Sequence, residues 1–467
     1  MAFSLQRVFF SGDELRRLVQ LGVPVFIAQV AQMGMAFVDN VMTGQSSALD
    51  MAAVGVACSV WNPLFLLGLG CLIPLTPMTA QYAGAREPER AVHLLRQGIL
   101  LSCLLSVIFL GVFDVASRHL DIFGLEPELA ALAGGYLRCI MWGFPAMAVF
   151  CCVRSLAEGH ANTRPAMIIG IIGLALNVPA NYVLIFGKLG FPALGAVGCG
   201  IASALCYWSM CVAMLIYVRR DEQFRRMGPL FAPLWRNFSV DWPLWGRILR
   251  LGIPSAFAIF FEVCLFALTA LLLAPLGTMV VAGHQVALNY SSMLFMVPMS
   301  LSITVAIRVG WHVGAGKMQM ARVAARTALA AGLCSAAVTA ALTYALRREI
   351  VYMYGDTPAV VNLAMTLLGY VSCYQIVDAI QTVGQGVLRG YNDTRTISIV
   401  GFITYWIIGL PLGWVLTYTD WIVPALGARG FWTAYIVALS FAMCCYLTRV
   451  RFLHGQDVGT LRQKVLR

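Results

Sequence analysis

Only 11% of this 467-residue chain is charged and 60% is hydrophobic. With a mean hydropathy of +0.80, it cannot be two or three water-soluble domains. The net charge of +11 raises nucleic acid as a partner, and the placement of that charge, taken up below, argues against one.

Apolar runs of about 20 residues, each long enough for a hydrocarbon core of about 30 Å, recur along the whole length. Twelve are predicted, centred near Ala31, Leu67, Leu105, Val149, Leu174, Leu205, Leu265, Met296, Leu333, Val377, Ile407 and Ala438. The predicted class is an all-α polytopic membrane protein. No polar stretch is long enough for a soluble domain.

Residues 1–17 are polar and basic, and no small-residue cleavage site follows, so no cleavable signal is expected. Ser11 and Glu14 have the spacing of a capping box for a short surface helix before the first run. An ordinary charged tail is the equal alternative.

The first run carries Gln29, Gln32, Ala36 and Asp39 at spacings of 3, 4 and 3, along one helix face. The fifth carries Asn177 and Asn181 four apart. A carboxylate with amide carbonyl oxygens is a ligand set that hard cations such as Na⁺ take. Plain interhelical hydrogen bonds, worth about 0.6 kcal/mol each, are the alternative for the amides alone; Asp39 in the same half of the chain favours a site.

Glu262 sits in the seventh run between Phe261 and Val263, and the tenth carries Tyr374, Asp378, Gln381 and Gln385 at spacings of 4, 3 and 4. An ionised carboxylate at the bilayer centre costs about 2.5–3.5 kcal/mol on insertion scales. Asp39, Glu262 and Asp378 should therefore face a protected interior. The default reading of such acids is an ion, proton or cationic-substrate site; the plainer one, helix packing, weakens when three occur together. Glu262 and Asp378 lie in one half of the chain. As a pair they would hold a proton, a Na⁺ or an organic cation in competition, which is what an antiporter requires.

Aromatics and methionines crowd the same runs. Most should pack or face lipid. A subset, with Met33, Phe295 and Met296 as candidates, would line an adaptable, cation-tolerant pocket. Prolines inside runs, among them Pro24, Pro179, Pro254, Pro298 and Pro411, bend helices either as hinges or only as shape. The 14 cysteines show no zinc-type spacing and mostly lie in apolar runs, as small hydrophobes do. There is no phosphate-binding GxxxxGK[ST], no GxGxxG after a strand, and no hydrolase constellation. No enzyme activity and no cofactor are expected, and active transport would draw on an ion gradient.

The chain repeats itself. LGVP at 21–24 returns as LGIP at 251–254, an offset of 230; GHANTR at 159–164 returns as GYNDTR at 390–395, offset 231; PALG at 192–195 returns at 424–427, offset 232, and Gly198 pairs with Gly430. Six helices per copy is an even number, so both copies enter from one side as a parallel repeat of two six-helix bundles. Transporters place sites at or near the interface of such halves. The expected division is 1–218 for helices 1–6, 219–250 for a linker, and 251–467 for helices 7–12 and a tail. The linker's arginines and Trp235, Trp242 and Trp245 suit an interfacial segment.

Most of the 32 Lys and Arg fall on the side of the termini and linker. They include Arg7, Arg16, Arg17, Arg154, Arg236, Arg308, Arg389, Arg462, Lys464 and Arg467. By the positive-inside rule both termini are expected in the cytoplasm. The basic excess is then topogenic, with anionic membrane lipid rather than nucleic acid as its contact.

On five stretches the chain resembles multidrug and toxic compound extrusion transporters of the NorM branch: LGVPVFIAQVAQMGMAFVDNVMTG (21–44), LNVPANYVLIFGKLGFPALGAVGCG (176–200), FFEVCLFAL (260–268), AGHQVALNYSSMLFMVPMS (282–300) and YQIVDAIQTVGQGVLRGYNDTR (374–395). The resemblance implies twelve helices in two lobes forming a V around a central cavity, and export of small organic cations or drugs in exchange for Na⁺ or H⁺. It implies a bacterial inner-membrane location, and a monomer is expected. It maps cation coupling onto Asp39, Asn177 and Asn181 in one lobe and onto Glu262, Tyr374 and Asp378 in the other, with Na⁺ the favoured ion. It maps drug contacts onto Gln285 and Asp356. The family pattern has Thr after the first acid; here Asn40 stands there, which would alter ion preference. A lipid-linked oligosaccharide flippase of the same superfamily is the alternative, and a receptor or scaffold without transport is a second.

Overall fold

The computed structural model describes residues 11–228, 230 and 239–456. The expected charges Arg7, Arg236, Arg462, Lys464 and Arg467, and Trp235, lie outside the described residues.

Among the described residues, twelve helical spans are long and apolar enough to cross a membrane. In chain order they are α1 (Gly12–Ser46), α2 (Ala48–Ala85), α3 (Pro88–Arg118), α4 (Pro127–Gly159), α5 (Arg164–Phe186), α6 (Gly195–Arg220), α7 (Trp242–Leu276), α8 (Thr278–Gly314), α9 (Met318–Ala345), α10 (Pro358–Gly390), α11 (Thr394–Tyr418) and α12 (Ala428–Gly455). Each predicted centre falls inside its span. Proline starts α3, α4 and α10 at a first-turn position, where its missing N–H costs nothing. A turn at Cys71–Pro74 breaks α2 ahead of its second segment, Leu75–Ala85.

Two compact units result. One is Val23–Ala256; the other joins the stretch up to Gly22 with the stretch from Phe257 onward. The first unit packs around Trp61, Phe113, Tyr136 and Phe144. The second has one cluster around Val305, Val387 and Tyr446 and another around Leu367, Phe431 and Trp432. The unit limits fall within α1 and α7, at or just after the repeated LGVP and LGIP.

The repeat is also a repeat of backbone geometry. Ala161 and Asn392 both take the left-handed conformation at φ 59°, 231 residues apart. Leu194 N–H donates to Leu184 O at 3.1 Å, and Leu426 N–H to Leu416 O at 2.9 Å. Gly198 and Gly430 are the same close approach in two copies. A Cβ on Gly198 would stand 2.4 Å from Leu184 O, and one on Gly430 2.6 Å from Thr417 Oγ1. Helix starts dock alike: Asp241 N–H donates to Gln97 Oε1 at 3.2 Å in one unit, and Ser11 N–H to Thr327 Oγ1 at 3.3 Å in the other.

Three expectations change here. Among the described residues the capping-box position opens no separate helix; Ser11 leads straight into α1, which is continuous from Gly12. Ser11 Oγ does accept from Glu14 N–H at 3.4 Å, but the Glu14 carboxylate turns to Arg308 and His312 instead of completing the box. Arg154, Arg308 and Arg389, counted above among the topogenic charges, lie inside helices, where each is held by a partner: Glu158 at 3.4 Å, Glu14 at 2.6 Å and Gln385 at 3.2 Å. Trp242 is exposed as an interfacial anchor should be, whereas Trp245 is buried and donates its ring N–H to Gln97 Oε1 at 2.9 Å.

Candidate ion and substrate sites

In the Val23–Ala256 unit, α1 turns Asp39 inward, leaving it 8% exposed. Asn177 and Asn181, one turn apart on α5 and fully buried, both donate through Nδ2 to Asp39 Oδ1, at 3.0 and 2.6 Å. Ser203 of α6 donates to Oδ2 at 2.8 Å. The sequence had suggested amide carbonyl oxygens beside the carboxylate. The amides instead present N–H, since a carboxylate only accepts. Asn177 Oδ1 accepts from Asn181 at 3.2 Å, and Asn181 Oδ1 is buried with no partner among the described residues.

Asp39 opens onto a cavity of about 130 Å³, room for several waters. Gln32, Ala36, Asn62 and Ser203 line it with the aromatic walls Trp61, Tyr136 and Tyr207. Gln32, Ala36 and Asp39 thus share the predicted face.

In the other unit Asp378 is 3% exposed and Tyr374 is buried, its ring edge-on to Trp432 at 5.7 Å. Glu262 of α7 is half-buried. Asp378 and Arg389 are close enough for their charges to act on it, and Tyr405 lies beside it. Tyr405 belongs to a π-helical turn, Ile403–Gly409, inside α11, a local widening that often marks functional positions. Asp378 also lines a small cavity of about 10 Å³ with Phe295, Gln375 and Thr339, about one water in size.

The predicted residues Asp39, Asn177 and Asn181 come together, and so do Glu262, Tyr374 and Asp378: the charge of Asp378 acts on Glu262, and those of both acids on Tyr374. Phe295 lines the smaller cavity. Met33, Met296 and Gln285 are half-buried and outside both cavities; Asp356 is exposed in the connection before α10.

The MatE family model matches residues 24–183 and 254–415. The chain belongs to the MatE family. Among solved structures, the fold matches the eukaryotic MATE transporter AtDTX14 with a TM-score of 0.85 at 20% identity, covering 97% of this chain and 98% of that one. It also matches a MATE structure in a bent conformation (TM-score 0.85, 17% identity, 99% of each chain). A third match is an outward-facing multidrug resistance MATE family transporter (TM-score 0.83, 18% identity, 98% of each chain). At these identities the likeness is one of fold.

Three groups around this MatE protein's acids escaped sequence reasoning. Ser203 is a lone hydroxyl in an apolar run and sends no signal. Tyr405 depends on the π turn. Arg389 continues the polar face of Tyr374, Asp378, Gln381 and Gln385 by one more step of four and was legible in principle.

Proposed function

We propose that this MATE family transporter is a secondary active exporter of the NorM type. It moves small organic cations or drugs out of the cell in exchange for Na⁺ or H⁺ by alternating access. The observation that carries the reading is Asp39. Its donors, Asn177, Asn181 and Ser203, are all neutral, so its charge is solvated but, among the described residues, not paired with an opposite charge. A buried charge needs a counter-charge. A cavity beside it admits one, and the unpartnered Asn181 Oδ1 is a ready oxygen for a hard cation. The aromatic walls suit an organic cation equally.

Glu262 and Asp378 form the second cation site on this reading, with Tyr374 beside them, and Na⁺ is the favoured ion. Drug contacts beyond the Asp39 cavity are assigned to Phe295, Met296, Met33, Gln285 and Asp356. The protein would work as a monomer in a bacterial inner membrane with both termini in the cytoplasm, its basic segments against anionic lipid.

The test is efflux of a fluorescent organic cation from proteoliposomes under separately imposed Na⁺ and H⁺ gradients. Export driven by at least one gradient is expected. No gradient-dependent movement with folded protein would overturn the reading.

A further inference from the structure

Asp378 stands at one end of a hydrogen-bond relay along α10. Gln381 Nε2 donates to Asp378 Oδ1 at 3.1 Å, Gln385 Nε2 donates to Gln381 Oε1 at 2.8 Å, and Arg389 Nη2 donates to Gln385 Oε1 at 3.2 Å. The spacings of 3, 4 and 4 keep all four side chains on one face, and all four are buried. Every bond donates toward Asp378. A guanidinium, which only donates, fixes this sense: Gln385 must offer it an oxygen, so its N–H end turns to Gln381, which in turn offers its N–H end to the carboxylate.

Arg389 is otherwise sparsely held. Its Nε is buried with no partner among the described residues. The charged and titratable groups acting on it are Glu262 from α7 and Tyr446 from α12, and Tyr446 gives its hydroxyl proton to Ile397 O at 3.1 Å.

The repeat provides a comparison within the same molecule. Shifted by 231, Gln385 and Arg389 fall on Arg154 and Glu158. In that copy the two positions form their own ion pair at 3.4 Å and neutralise each other. In this copy the acid has become an arginine and the arginine an amide. The positive charge is therefore left to act on Glu262, while the relay of amides reaches Asp378.

We propose that Arg389 is a positioning residue for the Glu262–Asp378 site, a tethered cation that keeps an N–H donor on Asp378 and lowers the site's affinity for the driving cation enough for that cation to leave. The inference rests on the reading of these acids as the second cation site. When Arg389 is removed, Gln381 is free to turn its carbonyl oxygen toward an incoming cation, and the opposing charge is gone.

The experiment measures organic-cation efflux from proteoliposomes against the concentration of the driving ion, Na⁺ or H⁺, for wild type, Arg389→Gln, Arg389→Lys and Gln385→Leu. Arg389→Gln and Gln385→Leu are expected to half-saturate at about fivefold lower ion concentration or less, with a lower maximal rate. Arg389→Lys is expected to move half-saturation back toward wild type. A merely structural role would lower the rate without tightening the ion dependence. Unchanged or weaker half-saturation in Arg389→Gln and Gln385→Leu overturns the proposal; if Arg389→Gln does not fold, Gln385→Leu decides alone. Glu262→Gln and Asp378→Asn serve as controls. Wild-type exchange by both would remove the cation site and the proposal together. Lost exchange in both, with unshifted Gln385→Leu, would remove the proposal only.

Discussion

Glu14 and Arg308 are 294 residues apart in the chain and joined by two hydrogen bonds, 2.6 Å from Nη2 to Oε1 and 3.1 Å from Nε to Oε2. His312, one turn further along α8, places Nε2 3.0 Å from the same Oε1. All three side chains are buried. The bidentate fork ties the first turn of α1 to the stretch from Phe257 onward, within one unit.

Removing one member of such a pair strands the other charge, at a cost of about 3–5 kcal/mol. Glu14→Gln and Arg308→Met are each expected to lower the unfolding temperature in detergent. The double variant Glu14→Leu/Arg308→Met should regain most of the loss, because apolar replacement of both partners is often neutral. A double variant as unstable as the two losses added would refute the coupling.

Asp39 accepts three hydrogen bonds from groups that all donate to it. In Asp39→Asn the amide oxygen can stay on Asn177 and Asn181 while its NH₂ turns to the Ser203 hydroxyl, which also accepts, so transport should be lost with the charge while stability changes by about 1 kcal/mol or less. Ser203→Ala keeps the charge and removes one donor. It should transport, with an altered ion dependence. Efflux and thermal unfolding on the same preparations check both, and an Asp39→Asn protein with wild-type efflux would exclude Asp39 from coupling.

The paired glycines give a packing test. A Cβ at Gly198 would meet Leu184 O at 2.4 Å, and one at Gly430 would meet Thr417 Oγ1 at 2.6 Å. Gly198→Ala and Gly430→Ala are each expected to cost about 1–3 kcal/mol. Gly111, inside α3 with nothing within 4 Å of its would-be Cβ, should tolerate alanine and gain about 0.5–1 kcal/mol. Equal effects at all three positions would contradict the close-approach account.

The start of α7 should respond to acid. The His93 ring nitrogen, 2.9 Å from Asp241 Oδ2, holds that carboxyl below the ordinary aspartate value of 3.8, helped by the Leu244 N–H at 3.0 Å. A carboxyl with a lowered folded-state pKa contributes its full stabilisation above the unfolded value and loses it as pH falls through the folded one. Amide protection at 242–245, corrected for intrinsic exchange, is expected to hold from pH 7 to about 4 and to fall below that. Asp241→Asn should flatten the profile. A wild-type profile that stays flat below pH 4 would rule out a stabilising role for the His93–Asp241 contact.

Much of this architecture is legible in the sequence because a membrane helix must satisfy its own backbone and hide its polar side chains. Twelve spans follow from apolar run length. Asp39, Asn177 and Asn181 could be grouped because each lies on a polar face at helical spacing. What the sequence conceals are charges near span ends. Glu14, Arg308 and Arg389 sit where topogenic residues normally lie, and the 3-to-4 spacing that separates burial from display is hidden among real surface charge. His312, four residues after Arg308, was the available sign. The donor sense of the asparagines was also hidden, since spacing says nothing of which end of an amide faces a carboxylate.

The ion pair at the head of α1 also sets a schedule for biogenesis. Glu14 leaves the ribosome 294 residues before Arg308, an interval of roughly 15–60 s at 5–20 residues per second. The first helix is therefore inserted before its own anchor has been synthesised, and its leading turn must wait, with a bare carboxylate, for the eighth. Translation stalled between these two points would leave a nascent chain whose N-terminal turn is accessible to protease and whose later helices alone can close it.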